Sequence, residues 1–354
     1  REKATTLYLV NGANQNKSFK MISKKAFEIQ FNWLFILFAG AAILLFFTIV
    51  IVKQKDVSEV STKATVLKSM DSIISGASVS TDTTNVINIP DSKIEVDCGR
   101  VSLGPVSKQY QNLILFAPSL VKGNKIVTQT LDFSVPYRST NLLYMTSPQV
   151  RYIIIGGTEV ANQINKSLSD AITKEFYASL PSIKNENNYK VKIVFFGNIP
   201  PFPKLLEKMP DSDVSAINVD GDTNIGKIEF YQKEGSLWGL TGSSVYLGLQ
   251  SLIGAVYSDK LSTYECNMQN AFSRINLITQ VYIEKTKELL SKGDSSGRDV
   301  QCKEFYNNAL ISLDRIGDSS SEFSEINAYS ISESAVLLSN ENKNAQRYSC
   351  TLIY

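Results

Sequence analysis

The run from Phe31 to Val52 carries no charged side chain. At about 1.5 Å of rise per residue, about 22 helical residues span about 33 Å, enough to cross a hydrocarbon core of about 30 Å. No other segment is of this kind. The sequence therefore predicts a single-pass membrane protein that carries a globular part of about 300 residues, a length able to bury a substantial core. Trp33, Leu34, Phe35, Leu44, Phe46 and Val52 are the predicted anchor residues, with Trp33 placed as an interfacial aromatic.

The flanks set an expected orientation. Lys17, Lys20, Lys24 and Lys25 precede the span and only Lys53 and Lys55 follow closely, with Asp56 and Glu59 beyond. Positive charge near the membrane marks the cytoplasmic side, so the N-terminus is expected inside and the C-terminal part outside, at a plasma membrane. A cleaved signal peptide is the competing reading. Its apolar region is normally about 7–15 residues and ends at small residues, whereas this run is longer and ends in Ile49, Val50, Ile51 and Val52. Met21 is read as a natural start. The residues before it are either a disordered cytoplasmic tail or upstream sequence.

Composition removes several functions. The 36 Lys and Arg nearly balance 34 Asp and Glu, and no basic patch with interleaved aromatics stands out, so no nucleic-acid partner is expected. Histidine is absent, which excludes Ser-His-Asp and Cys-His catalysis and disfavours ordinary zinc sites. The cysteines are Cys98, Cys266, Cys302 and Cys350, far apart and without Cys-x-x-Cys spacing. In an outward-facing domain they are expected in disulfides. Asn165-Lys166-Ser167 is the one glycosylation triplet after the span.

The pattern along the chain predicts an α+β fold. An N-terminal transmembrane helix leads to a mixed β-sheet and βαβ region packed with a C-terminal three-helix segment. The expected divisions are a cytoplasmic tail over 1–29, the span over 30–53, a helical stalk and linker over 54–80, an extracytoplasmic α/β domain over 81–260 and a helical subdomain over 261–354. Val60, Ala64, Leu67, Met70 and Ile74 recur at helical spacing, and Ser78 to Asn85 reads as linker. Short strands broken by turn residues between Val86 and Met145 suggest an antiparallel sheet. A strand over Tyr152 to Ile155, a Gly156-Gly157 turn, a helix from Val160 to Leu180 and a strand from Tyr189 to Phe196 outline a βαβ unit. Strands over Val214 to Val219 and Lys227 to Tyr231 follow, joined through Asp220-Gly221. Three helices close the chain. Their faces are Met268, Phe272, Ile275, Ile278 and Tyr282, then Phe305, Ala309, Leu313 and Ile316, then Ala328, Ile331, Ala335 and Leu338. Gly293 and Gly297 are placed between the first two, Gly317 between the next two, and Ser319 with Glu322 as the capping box of the third.

This order constrains the cysteines. Cys266 and Cys302 each open a helix, so in an antiparallel pair they lie at opposite ends, about 38 Å apart for a helix of about 25 residues. A bridge tolerates only about 7 Å between Cα atoms. Cys350 returns to the end where Cys302 lies. The expected pairs are Cys302–Cys350 and Cys98–Cys266.

Candidate sites are weak. Gly156-Gly157-Thr158 before a helix offers backbone N–H groups to an anion, but lacks the lysine of a P-loop. Ser119 and Lys122 match the Ser-x-x-Lys spacing without its companion motifs. Asp211, Asp213, Asp220 and Asp222 cluster in sequence as calcium candidates, but not as an EF-hand loop. Leu237 to Tyr257 is a candidate assembly surface, with buried core as the default. No catalytic residue, cofactor or metal ligand is assigned.

Several stretches are familiar together: Lys24-Lys25-Ala26-Phe27-Glu28 leading into the span, Tyr144-Met145-Thr146-Ser147, Ile253-Gly254-Ala255-Val256, Tyr264-Glu265-Cys266, and the closing Cys350-Thr351-Leu352-Ile353-Tyr354. From about Met21 to its end the chain resembles a family of single-pass membrane proteins of small-genome DPANN archaea. The resemblance implies architecture and origin, and carries no activity with it. The Lys25-Ala26-Phe27-Glu28 stretch is also similar to the cleavage region of archaeal type IV prepilins, whose subunits bury apolar helices in a filament and display a head. The expected function is thus a membrane-anchored surface protein with a structural or interaction role. Its expected partners are the lipid bilayer and other surface proteins or copies of itself. A pilin-like subunit is the alternative, and a surface hydrolase that works without histidine comes third.

Overall fold

The computed structural model describes residues 24–110, 113–179, 183, 188–291 and 297–354. The expected tail before Met21 and the Gly293 link lie outside these. Helix α1, Lys24–Val79, is unbroken. The chain divides into two compact units, Arg1–Glu59 and Val60–Tyr354. In the first, Trp33–Gln54 has a mean hydropathy of 3.0 and none of it is buried. Phe35 is 72% exposed and Leu44 70%. A helix apolar on every side has no face suited to water, and this one is long and apolar enough to cross a membrane.

In the second unit α1 changes character. Leu67, Met70 and Ile74 are buried at spacings of three and four, against Ile94, Val101, Leu103, Val121 and Ile126 of a sheet. Ala64, expected on the same stripe, is exposed. The linker expected over Ser78 to Asn85 shrinks to 80–82. The Ser80 N–H bonds back to the Gly76 carbonyl, Asp82 turns the chain at φ 50°, and Thr83 already pairs with Thr130.

The first sheet contains β1 (Thr83–Asp97), β2 (Arg100–Leu103), β3 (Val106–Gln109), β4 (Leu115–Phe116), β5 (Leu120–Ser134) and β6 (Arg138–Thr146). Their order is β3-β2-β1-β5-β6-β4, antiparallel except where β4 runs parallel to β6. The second contains β7 (Val150–Ile155), β8 (Thr173–Tyr177), β9 (Lys190–Phe196), β10 (Val214–Gly221), β11 (Ile225–Glu234) and β12 (Leu237–Leu247) in the order β12-β11-β10-β9-β7-β8. Strands β10, β9, β7 and β8 are parallel neighbours, and β11 and β12 add a meander. The fold is α+β, as the sequence predicts.

Helix α2, Glu159–Ser167, is much shorter than the expected Val160 to Leu180. Leu168 leaves the helical region at ψ 136°, and the Lys174 ammonium donates to the carbonyls of Asn165 and Leu168 at the helix end. Of the freed residues, Thr173, Phe176 and Tyr177 are strand formers, and Thr173 to Tyr177 gain a ladder with β7. Local helical spacing loses to sheet pairing. Leu237 to Tyr257 likewise resolves into β12 and helix α3, Gly248–Tyr257. Leu237 and Leu240 are exposed, while Val245 to Leu247 and all of Ser251 to Tyr257 are buried.

The three closing helices are α4 (Leu261–Ser291), α5 (Gly297–Ser319) and α6 (Glu325–Arg347). Gly317 sits inside α5 and does not end it. A Cβ there would lie 3.3 Å from Gln280 Nε2, so its bareness serves the close approach of α4. Ser324, not Ser319, caps α6 by accepting the Asn327 N–H. Tyr306, not Phe305, fills the core with Cys302, Ala309, Leu313 and Ile316. The regions 81–260 and 261–354 share one core, in which α3 and α4 meet residues of both sheets.

Both expected disulfides are present. Cys98–Cys266 has a Cα separation of 5.9 Å and Cys302–Cys350 one of 5.8 Å. The second closes a loop of 48 residues. Loop-closure entropy gives about 4 kcal/mol for it. Urea unfolding of the detergent-extracted protein should show a Cys302→Ala/Cys350→Ala variant destabilised by about that amount. A loss below about 1 kcal/mol would mean that helix packing alone holds the two ends.

Candidate functional site

The structure disperses three of the sequence candidates. Thr158 caps α2 by accepting the Ala161 N–H, and a Cβ on Gly156 would meet Phe196 at 2.7 Å, so capping and packing account for Thr158 and Gly156. Asp211 pairs with Lys233, and Asp222 Oδ1 accepts the N–H groups of Asn224 and Ile225 in the hairpin. Asp213, just before β10, and Asp220 within it lie seven residues apart, so the two aspartate pairs are separated by about 23 Å. One ion cannot join all four. Among the described residues no group of three or more His, Cys, Asp or Glu is arranged to hold a metal.

Ser119 and Lys122 also part. Ser-x-x-Lys requires a helical turn, in which residues three apart share a face. Here the segment runs into strand β5, where an odd spacing points to opposite faces. The Lys122 ammonium lies over the Tyr189 ring at 5.1 Å. Ser119 turns instead to Asp259, between α3 and α4. Its N–H donates to Asp259 Oδ1 at 2.8 Å and its hydroxyl to Oδ2 at 2.7 Å. The Lys190 ammonium, from β9, also contacts Oδ2. Side-chain exposure is 4% for Lys190 and 7% for Asp259. Ser119 is half-buried and lines a cleft of about 400 Å³ with Glu95, Asp97, Arg100 and Lys260.

Lys192, two residues along β9, completes the cluster. Its ammonium donates to the Ser258 carbonyl at 2.6 Å and lies 5.2 Å from the Phe230 ring centre. Burial pushes its pKa down to about 7, against a smaller upward pull from Asp259. Burial by itself would raise the Asp259 carboxyl. The Lys190 charge and the Ser119 hydrogen bonds outweigh it and hold the carboxyl below its ordinary value. Burial likewise lifts Tyr189 to about 12.

Sequence reasoning missed Asp259, Lys190 and Lys192. The available signal was the alternation Lys190-Val191-Lys192 inside a strand whose two faces are both apolar. Lysines at alternate positions share a face, and when that face is core each needs a partner.

Comparison of the chain with protein-family models, curated proteins and solved structures gave no match in any of the three.

Lys192 makes stability depend on pH. Its folded pKa of about 7 lies below the ordinary 10.5, so between these values the unfolded chain binds the extra proton. Stability from this group therefore rises as pH rises from about 7 and is flat below. Urea midpoints measured from pH about 7 to about 9, before unfolded tyrosines titrate near about 10, should increase. Lys192→Met should flatten that rise, and an unchanged slope in the variant would assign it to other groups.

Proposed function

We propose that the chain is a membrane-anchored cell-surface protein, N-terminus inside, that displays its α+β unit on the outer side for a structural or interaction role. The observation that carries this reading is Trp33–Gln54, a helix with no buried residue and with apolar side chains on every face. Lipid is the partner this surface fits. The lysine bias before the span supports the orientation. The two disulfides support it independently, because they persist on the oxidising side of a membrane.

A pilin-like subunit is the second reading, favoured by one observation. Helix α1 runs unbroken from Lys24–Val79, and its later turns bury Leu67, Met70 and Ile74. An apolar helix that continues into a head is the form such a subunit takes.

Two measurements separate these readings. Protease added to intact cells should digest the second unit, and protection until lysis would reverse the orientation. The mature N-terminus should retain Lys24 and Lys25. A terminus at Phe27 in isolated filaments would establish the pilin, whereas one beyond Val52 would make the apolar run a cleaved signal sequence.

A further inference from the structure

We propose that Lys190 and Asp259 condense to an intramolecular isopeptide bond, an amide that ties β9 covalently to the turn between α3 and α4. Four observations carry the proposal. Amine and carboxyl are in contact. Both side chains are almost completely buried. Each carboxylate oxygen has the donor its fate requires. Among the described residues the other side-chain lysine–carboxylate pairs, Lys108–Asp71, Lys174–Asp170, Lys227–Glu325, Lys233–Asp211 and Lys287–Glu284, each leave a carboxylate open to water.

The chemistry balances without a further reactant. A proton passes from the Lys190 ammonium to Asp259 Oδ2 across their direct contact, which frees the lone pair on Nζ. The nitrogen attacks Cγ. As the C–N bond forms, the carbonyl π electrons move to Oδ1, where the Ser119 N–H stabilises the developing charge. The nitrogen then gives a second proton to Ser119 Oγ while the Ser119 hydroxyl proton moves to Oδ2. The C–Oδ2 bond breaks, its electrons leave with oxygen, and water departs. Oδ1 remains as the amide carbonyl. Of the ammonium's three hydrogens one stays on the amide, one leaves in the water and one replaces the proton that Ser119 passes to the water, and the opposite charges cancel.

The environment drives the step forward. Groups held in reactive contact gain effective molarities of about 10⁵–10⁸ M over free reactants. Condensation also removes two buried charges and their desolvation penalty. Condensation removes both the upward pull of Asp259 on Lys192 and the smaller downward push of Lys190, and Lys192 keeps its hydrogen bond to the Ser258 carbonyl. The crosslinked cluster then holds one titratable group, Lys192, in place of three, which suits its burial.

Intact mass of the full chain, extracted in detergent, tests the proposal. The expected mass is lower by one water than the mature sequence with two disulfides, and proteolysis should release a branched peptide joining Lys190 to Asp259. Lys190→Arg keeps the ion pair but cannot condense, and should restore the missing water. Its two disulfides report that it has folded. Ser119→Ala keeps both reacting groups but lacks the proton relay, and should give a mixture with the unlinked form enriched in freshly made protein. A wild-type chain of full mass, or a water loss mapped elsewhere, overturns the proposal. The branched peptide in wild-type protein decides the matter even where a variant does not fold.

Discussion

The second unit depends on the first two turns of α4. Three residues there fix it to both sheets. The Tyr264 hydroxyl donates to the Val245 carbonyl of β12, Cys266 is bridged to Cys98 beyond β1, and Asn267 bonds Leu115 of β4. The Asn267 carboxamide acts as a surrogate strand. Its Oδ1 accepts the Leu115 N–H at 3.0 Å, and its Nδ2 donates to the Leu115 carbonyl at 2.8 Å and to the Thr263 carbonyl at 2.9 Å. All of this is out of water, where each orphaned polar group would cost about 1–3 kcal/mol. A two-residue strand such as β4 has little of its own to hold it. The side chain from α4 supplies what its ladder lacks.

The buried charges follow from the second sheet. Parallel strands at its centre are covered on both faces, so any polar side chain there enters core. Lys190, Lys192 and Arg151 do so, Lys233 of the antiparallel β11 is buried as well, and each meets an acceptor: Asp259, the Ser258 carbonyl, Glu175 and Asp211 respectively. These contacts specify register as well as offsetting desolvation. A slip of one residue in β9 would turn both lysines to the face held by Val191, Ile193 and Phe195, where Phe202, Leu206 and Met209 wait. Buried ion pairs add little net stability, but a broken one is expensive, and that asymmetry favours a single pairing.

Much of this was legible in the sequence, and the failures have a common cause. The membrane-type helix was readable because twenty or so uncharged residues admit few environments. The disulfide pairs followed from helix order and length, since Cys266 and Cys302 were forced to opposite ends. Strands β7, β9, β10 and β11 were readable from apolar runs bounded by turn residues. What failed was local pattern overruled by distant pairing. Thr173 to Tyr177 continued a helical spacing but found β7, and Ser319 made a plausible cap but α5 ran through it. The candidate site failed for the same reason. Ser119 was noticed with Lys122, three residues away, whereas its partner Asp259 lies 140 residues along the chain. Spacing rules do not reach that far.

Redox state links the fold to the proposed topology. The Cys302–Cys350 loop is worth about 4 kcal/mol in closure entropy, and the Cys98–Cys266 loop about 5 kcal/mol. Domains of ordinary stability hold only about 5–15 kcal/mol in total. A unit facing a reducing compartment would lose an amount comparable to all of that. It would also lose the bridge that ties the start of α4 to the end of β1. Under the proposed topology the side of the membrane would be part of what folds this chain: lysines before Phe31 would bias the insertion, and the same insertion would place the cysteines on the oxidising side where disulfides persist. Charge on one flank and paired cysteines are separate physical signals, and both support the proposed orientation.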